Sequence, residues 1–378
     1  MRIVVVGGGV IGLLTAVECV RAGALVDLVD RADIPAASAA SNDRHRVVRT
    51  LHRGSAGLTA AAARLDERWL EVESLFGGRF YHRTGVLTAM PGRDIDATSA
   101  QLAAADVAYL ELSGRELAQL YPHVRFGAGD DGVLEPSAGT VQADRALRSA
   151  AGWLREQPAV RLHPHRRVVD VADTGSVRLA DGTVLAGDGV VVAAGAWSRE
   201  LLPARLAEGL TLKRQTMVTY QPTTHVHAWS DSPAVLGLGV GHDAWLMPPV
   251  AGTPVRLSAA SACRSVPALT DRDTPAQWRE HLLDRFAGLL PGFDPAAVTG
   301  TSEGYYLTDE AGEGPLLAEL AEGVWAYGAC GGMSFKFAPV IATALADRAM
   351  GRPVSPTGLD SLDRPRQLVH RAQSRRLR

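Results

Sequence analysis

The sequence predicts an α/β fold, α+β overall, in which a parallel-sheet domain opens the chain and a second, β-rich domain completes it. Three observations predict this. The first thirty residues alternate strand, glycine turn, helix and strand. Strand-like runs with Gly and Pro turns dominate residues 160–262, and helical patterns punctuate the rest. At 378 residues the natural division is two domains.

Ile3–Val6 is a short Ile/Val run, the pattern of a strand buried on both faces of a parallel sheet. Residues 7–12 form the turn, and Leu13–Ala22 carries apolar residues in every turn until Gly23 ends the helix. Ala24–Val29 is the next strand, ending in Asp30, so the opening is a βαβ unit. Ser38–Arg53 is polar, arginine-rich and loop-like. Ala60–Phe76 reads as a helix, Gly85–Ala89 as a strand, and Asp94–Leu120 holds two amphipathic stretches. A helix follows at Ala143–Arg155. Val160–Ala194 reads as a β meander with Asp181-Gly182 as a hairpin turn and Val190–Ala194 as an apolar strand. Leu212–Ala262 is strand-rich, Pro275–Leu290 helical, Val324–Tyr327 a strand and Val340–Met350 a helix stopped by Gly351. The arginine-rich stretch Leu362–Arg378 reads as a frayed surface tail.

Composition excludes several classes. Lys+Arg 39 against Asp+Glu 41 leaves a formal net charge of −2, which speaks against a nucleic-acid partner. Cys19, Cys263 and Cys330 are odd in number and widely spaced; they build neither a disulfide framework nor a cysteine zinc site and fit a cytoplasmic location. Residues 3–17 carry no charge, yet four glycines interrupt them and the run is too short to span a bilayer, so no membrane partner is expected. His163 with His165 and His225 with His227 lack an acidic neighbour at metal-ligand spacing; they are read as solvated loop or edge residues, and no metal is expected. No G-x-S-x-G, H-E-x-x-H or P-loop pattern occurs, which leaves hydrolysis and phosphoryl transfer without residues to perform them. Of the 39 basic residues only Lys213 and Lys336 are lysine, and the two cations are not interchangeable at a site.

Gly7-x-Gly9-x-x-Gly12 lies between a predicted strand and a predicted helix, with Asp30 eighteen positions beyond Gly12. Gly7 permits the tight turn, Gly9 lets backbone approach a pyrophosphate, and Gly12 lets the helix pack close to the strand. The helix N-terminus offers free N–H groups and a positive dipole end, and Asp30 accepts from ribose hydroxyls. This is a Rossmann-type dinucleotide fingerprint. It does not by itself separate nicotinamide from flavin dinucleotides, and Arg31 beside Asp30 is as compatible with plain surface as with a ligand contact.

Three further segments decide between them: Ala36–Arg49 (AASAASNDRHRVVR), Val190–Ser198 (VVVAAGAWS) and Ala329–Pro339 (ACGGMSFKFAP). With the turn, in this order, they resemble the D-amino-acid-oxidase superfamily, most closely its sarcosine oxidase / N-methyltryptophan oxidase branch, nearly from end to end. The resemblance implies an interrupted Rossmann-type FAD-binding domain, residues 1–80, 137–215 and 311–378, and a β-rich substrate domain, residues 81–136 and 216–310. It implies FAD binding by Gly7, Gly9, Val10, Ile11 and Gly12, with Asp30 and Arg31. Ser38, Ser41, Asn42 and Arg46 follow in the loop, and Val168 brackets the adenine. Gly195 and Trp197 match the G-A-W segment. Backbone from Gly331 and Gly332 through Met333 and Ser334 meets the flavin pyrimidine oxygen beside Lys336. Arg49 and Lys336 fall on the family's substrate-carboxylate ligands, one a fork of donors and the other a point charge. Trp245, Tyr305 and Tyr306 are candidate pocket residues or core aromatics. Arg49 has Arg44, Arg46 and Arg53 as neighbours, any of which suits a loop salt bridge.

The chain also departs from that pattern. Thr301–Tyr306 (TSEGYY) holds no cysteine where the family attaches its flavin, so FAD is expected to be non-covalent. Cys330 is expected to be a buried small hydrophobe. The family's oxygen-activating lysine falls on Arg256, a catalytic candidate with Arg49 and Lys336, which puts oxygen reactivity in doubt. Two family histidines become Ala260 and Met333. The expected function is an FAD-dependent amine oxidoreductase that oxidises the C–N bond of an amino acid, N-alkyl amino acid or cyclic imino acid to an imine, with O2 returning H2O2. The other classes are a flavin dehydrogenase or natural-product tailoring oxidase on a larger intermediate, and a non-catalytic nucleotide-binding regulatory protein. The expected partner is a small carboxylate-bearing amine, with the protein a monomer or weak homodimer.

Overall fold

The computed structural model describes residues 1–309 and 315–354. The predicted tail Leu362–Arg378 lies outside the described residues, as does the expected domain boundary at residues 310–311.

The opening strand Arg2–Val6 sits in a sheet ordered Leu316–Ala321, Val324–Ala329, Gly189–Val192, Arg2–Val6, Leu25–Val29, Val160–His163. All neighbours pair parallel except Leu316–Ala321, an antiparallel edge. Because successive side chains alternate faces, Ile3 and Val5 pack with Leu13 and Val17 of the first helix and Ile341 and Leu345 of the last. Val4 and Val6 pack on the other face with Val177, Leu179 and Leu202. Each fully buried aliphatic side chain here contributes about 1.5–3 kcal/mol.

Several elements differ from the sequence reading, each for a long-range reason. The region 160–194 is not one meander. Only Val168–Ala172, Ser176–Leu179 and Val184–Ala186 form an antiparallel three-strand unit, whereas the apolar runs flanking them join the parallel sheet. The predicted helix Ala60–Phe76 is two, Ala56–Ala62 capped by Ser55 and Leu65–Phe76. The loop-like Ser38–Arg53 contains a strand, His45–Val48, that pairs with Gly139–Gln142. The first helix spans Val10–Arg21 and the last described helix Ser334–Ala349, with Pro339 inside its second turn.

A second, larger sheet runs Cys263–Ser265, Leu210–Tyr220, Val255–Ala259, Ala244–Met247, Ala234–Leu238, Val86–Pro91, Asp130–Glu135, Leu110–Leu112, with Val298–Asp309 alongside Leu210–Tyr220. Leu210–Tyr220 therefore crosses the expected boundary at 215–216 as one continuous strand. No helix among the described residues is long and apolar enough to cross a membrane.

Candidate active site

A cavity of ≈ 470 Å³ runs from the C-terminal ends of the parallel strands, at Val6 and Val29, to the start of the last described helix and the face of the second sheet. Ligands of open α/β sheets bind at this edge. Two helix N-termini reach the cavity, at Val10 and at Ser334, and both favour negative charge.

The glycine turn is built as the spacing requires. Gly7 has φ +119°, and a Cβ there would stand 2.3 Å from the Ala193 carbonyl oxygen. A Cβ on Gly12 would stand 1.9 Å from Gly7 O, so helix and strand touch backbone to backbone. Asp30 lines the cavity, with Oδ2 accepting from Gly8 N at 2.6 Å and Oδ1 from Ala32 N at 2.7 Å. Burial pushes its carboxyl above the usual range, with those two N–H groups pulling the other way. Val10 and Ile11 also line the cavity, though the Val10 N–H is donated to Ser41 Oγ at 3.1 Å. Ser38 and Arg46 stand on the same wall, and Arg46 is anchored by Asp43 and the Ala40 carbonyl. Val168, Gly195 and Trp197 line the far end, where Arg31 lies 5.2 Å over the Trp197 ring. Two expectations fail to reach the cavity. The Asn42 amide donates to Ala37 O at 3.2 Å instead, and Gly331 turns its backbone N–H to Leu307 O. Gly332, Met333 and Ser334 do line it, Gly332 in a left-handed conformation at φ +73° against Tyr306.

Arg49 and Lys336 come together at the opposite end. Lys336 is 8 % exposed, its ammonium 5.4 Å from the Phe337 ring. Neither cation makes an ion pair among the described residues. Burial, and then the neighbouring Arg49 charge, hold the lysine well below its usual range, while Glu135 works in the opposite direction. Trp245, Met247, Leu236 and Met217 wall this end, and Tyr305 and Tyr306 border it. The Tyr305 hydroxyl is tied to Asp271 O at 3.0 Å, and the Tyr306 hydroxyl pairs with Cys263 Sγ at 3.2 Å. Cys330, expected to be a buried small hydrophobe, packs partly buried against the core and also lines the cavity, with its carbonyl accepting from Ser334 Oγ at 2.9 Å at the helix start.

Arg256 is a correction. It is 3 % exposed and does not line the cavity. Its Nη2 is held by Asp43 Oδ2 at 2.8 Å and by Ser302 Oγ, and it stands behind Met217. The Asp43 carboxylate, shared with Arg46, draws it away from the cavity. The histidine pair His163 and His165 finds aspartates distant in sequence, Asp27 at 2.7 Å and Asp33 at 2.8 Å, and no cluster of metal ligands forms among the described residues. Sequence reasoning missed Gln215 and Met217, which share one face of a strand by alternation, and Arg272, which reaches the cavity by donating to the distant Ser38 carbonyl.

The turn in which Gly7 and Gly12 admit no Cβ, the two helix starts and the two cations without an ion pair among the described residues fit FAD laid along this cavity. A model of the DAO family, described as FAD dependent oxidoreductase, matches residues 2–348. The chain is 26 % identical over 206 residues to monomeric sarcosine oxidase of Bacillus sp. (strain B-0618), which is 53 % of this chain and 52 % of that one. It is 28 % identical over 317 residues to glycine oxidase of Pseudomonas putida, covering 77 % of this chain and 82 % of the other. The chain spans about half the length of the sarcosine oxidases of Bacillus and Homo sapiens that it matches. In shape it is similar to NikD, an unusual amino acid oxidase essential for nikkomycin biosynthesis, in its open form. That likeness has a TM-score of 0.75 at 21 % identity, over 92 % of this chain and 93 % of that one. It is similar also to Amadoriase I, a fructosyl amine:oxygen oxidoreductase from Aspergillus fumigatus, with a TM-score of 0.78 at 19 % identity over 96 % and 88 %. At these identities the likeness establishes the fold.

Proposed function

The chain belongs to the FAD dependent oxidoreductase family, and from that premise we propose that it oxidises the C–N bond of a carboxylate-bearing amine to an imine. The substrate class is an amino acid, an N-alkyl amino acid or a cyclic imino acid. The observation that carries this reading is the buried Lys336 and the half-buried Arg49, neither ion-paired among the described residues, at the end of a cavity that begins at the dinucleotide turn. The relatives' printed names, sarcosine oxidase and glycine oxidase, support the same class.

The helix start at Val10 and the carboxylate of Asp30 would hold the pyrophosphate and ribose, and Gly332–Ser334 would hold the pyrimidine edge. With no cysteine in TSEGYY, the cofactor is held without a covalent bond there. Bound in this way, FAD supplies the acceptor for the two electrons and the hydrogen that leave the substrate carbon, and passes the electrons to O2 or another acceptor. Arg49 and Lys336 fix the substrate carboxylate by charge-assisted hydrogen bonds. Trp245, Leu236 and Met247 exclude water from the reacting end. The lining carboxylates among the described residues, Asp30 and Glu200, stand at the nucleotide end, so none of the described lining acids stands near Arg49 to stabilise a substrate ammonium, which favours reaction of the neutral amine. The enzyme would work in the cytoplasm on a small molecule, as a monomer or weak homodimer.

The test is the visible spectrum of the purified protein, before and after acid precipitation, followed by anaerobic addition of N-methyl and cyclic amino acids. Yellow colour released by acid, and bleaching by carboxylate-bearing amines but not by their amides, is the expected result. A colourless protein that takes up no added FAD, or one bleached by none of these, overturns the reading. The second reading, a dehydrogenase or tailoring oxidase with an acceptor other than oxygen, is favoured by one observation: Arg256 is sequestered by Asp43. Reoxidation of the bleached protein that is slow in air and fast with an artificial electron acceptor would identify it.

A further inference from the structure

Glu135 ends the strand Asp130–Glu135 of the second sheet and is 1 % exposed. Its Oε2 accepts from Thr50 N at 2.7 Å and Leu51 N at 3.2 Å, and Oε1 accepts from Leu51 N at 3.3 Å. These are the two residues that directly follow Arg49, so the carboxylate grips the backbone from which Arg49 enters the cavity. It lies beyond ion-pair distance of both cations, leaving their donors to the cavity, yet its charge acts on both.

We propose that Glu135 is a positioning and charge-setting residue for the Arg49–Lys336 pair, which makes the buried site singly positive and fits it to a ligand bearing one carboxylate. This rests on the functional reading above. The other titratable groups facing the cluster are neutral. His52 donates its Nδ1–H to Thr50 O at 2.8 Å, and burial with the two cations holds it at about 2. Burial keeps the Tyr81 phenol protonated, well above the usual range. On Glu135 itself burial pushes the carboxyl up, and the Thr50 and Leu51 N–H groups and the Arg49 charge pull it down. Two cations against one anion leave a single charge for a single carboxylate to neutralise. Without Glu135 the two cations repel each other unopposed, and Lys336 gives up its proton at lower pH.

The experiment is calorimetric titration of the flavin-bound protein with benzoate, a carboxylate with no C–N bond to oxidise, across pH and in buffers of different ionisation enthalpy. The unaltered protein is expected to bind benzoate near pH 7 with no net proton uptake. In Glu135→Gln, which retains an acceptor for Thr50 N, binding is expected to take up close to one proton. The pH at which affinity falls tenfold should drop by at least one unit. Glu135→Asp retains the charge and should keep the original pH profile at lower affinity. Proton uptake by the unaltered protein near pH 7, or an unshifted profile in Glu135→Gln, overturns the proposal while leaving the functional reading standing. If Glu135→Gln does not fold, the proton count of the unaltered protein decides alone. Absence of benzoate binding to the unaltered, flavin-bound protein overturns the functional reading and this proposal together.

Discussion

Lys336 is an ammonium 8 % exposed with no ion pair among the described residues, which is a poor arrangement for stability and a good one for gripping an anion. Replacing it by Met removes a buried, unpaired charge while keeping the stem's packing. Lys336→Met should therefore raise the unfolding free energy by about 1 kcal/mol or more while weakening carboxylate binding about 10- to 100-fold, the worth of one charge-assisted hydrogen bond. Thermal unfolding and benzoate titration, run side by side, check both; a variant that is less stable and binds benzoate unchanged would contradict the assignment. The pH dependence has a definite sign. Because burial lowers the folded lysine below its unfolded value, the unfolded chain binds more protons between the two, so stability rises with pH in that window. The advantage of Lys336→Met is thus largest below the folded value and fades as pH approaches the ordinary lysine range; urea denaturation of both proteins at pH 7 and pH 10 measures it. At this scale the sequence was informative where a residue type was rare. Lys336 stood out as one of two lysines, whereas Arg49 was one of four arginines in a short loop, Arg44, Arg46, Arg49 and Arg53. Arg256 was placed by resemblance at the family's lysine, but what holds its side chain is Asp43, 213 residues away, which no local pattern reveals.

Secondary elements were legible wherever a local rule governs them. The strand Arg2–Val6, the glycine turn and the first helix follow from apolar runs and steric demands inside the twenty residues Arg2–Arg21. The same steric demand gives a test. A Cβ on Gly12 would lie 1.9 Å from Gly7 O, a contact that neither neighbour relieves by rotating a side chain. Gly12→Ala should cost about 3 kcal/mol by forcing the helix off the strand, and the protein should purify without flavin colour. Retention of full colour and an unchanged unfolding midpoint would mean that the helix does not depend on this approach. What the sequence did not reveal were elements whose identity depends on partners far along the chain. His45–Val48 is only four residues and becomes a strand because Gly139–Gln142 lies beside it. Gly189–Val192 and Val160–His163 have the same local pattern as a meander strand, and only the parallel sheet they complete distinguishes them.

Across the whole molecule, one carboxylate ties the nucleotide-side loop to the second sheet. Asp43 sits three residues before Arg46, whose other donors hold the loop at the cavity wall, and it also receives Arg256 from the strand Val255–Ala259. Burial alone would push this carboxyl up, but Arg46 and Arg256 outweigh it and hold it at about 2. Its folded value therefore lies below its unfolded one, so its contribution is fully present above about pH 4 and is lost as pH falls toward 2. The two-unit difference corresponds to about 2–3 kcal/mol. Asp43→Asn removes this contribution at every pH and leaves the buried Arg256 and the half-buried Arg46 sharing a neutral partner, a change expected to cost about 3–5 kcal/mol at neutral pH. Urea denaturation at pH 7 and at pH 3 should show the unaltered protein losing stability more steeply with acid than the variant, so that the gap between them narrows at the lower pH. A gap that stays constant between the two would show that this carboxylate is not what couples the loop to the sheet, and the joint would have to be sought in the other contacts, Glu135 on Thr50 and Leu51 among them.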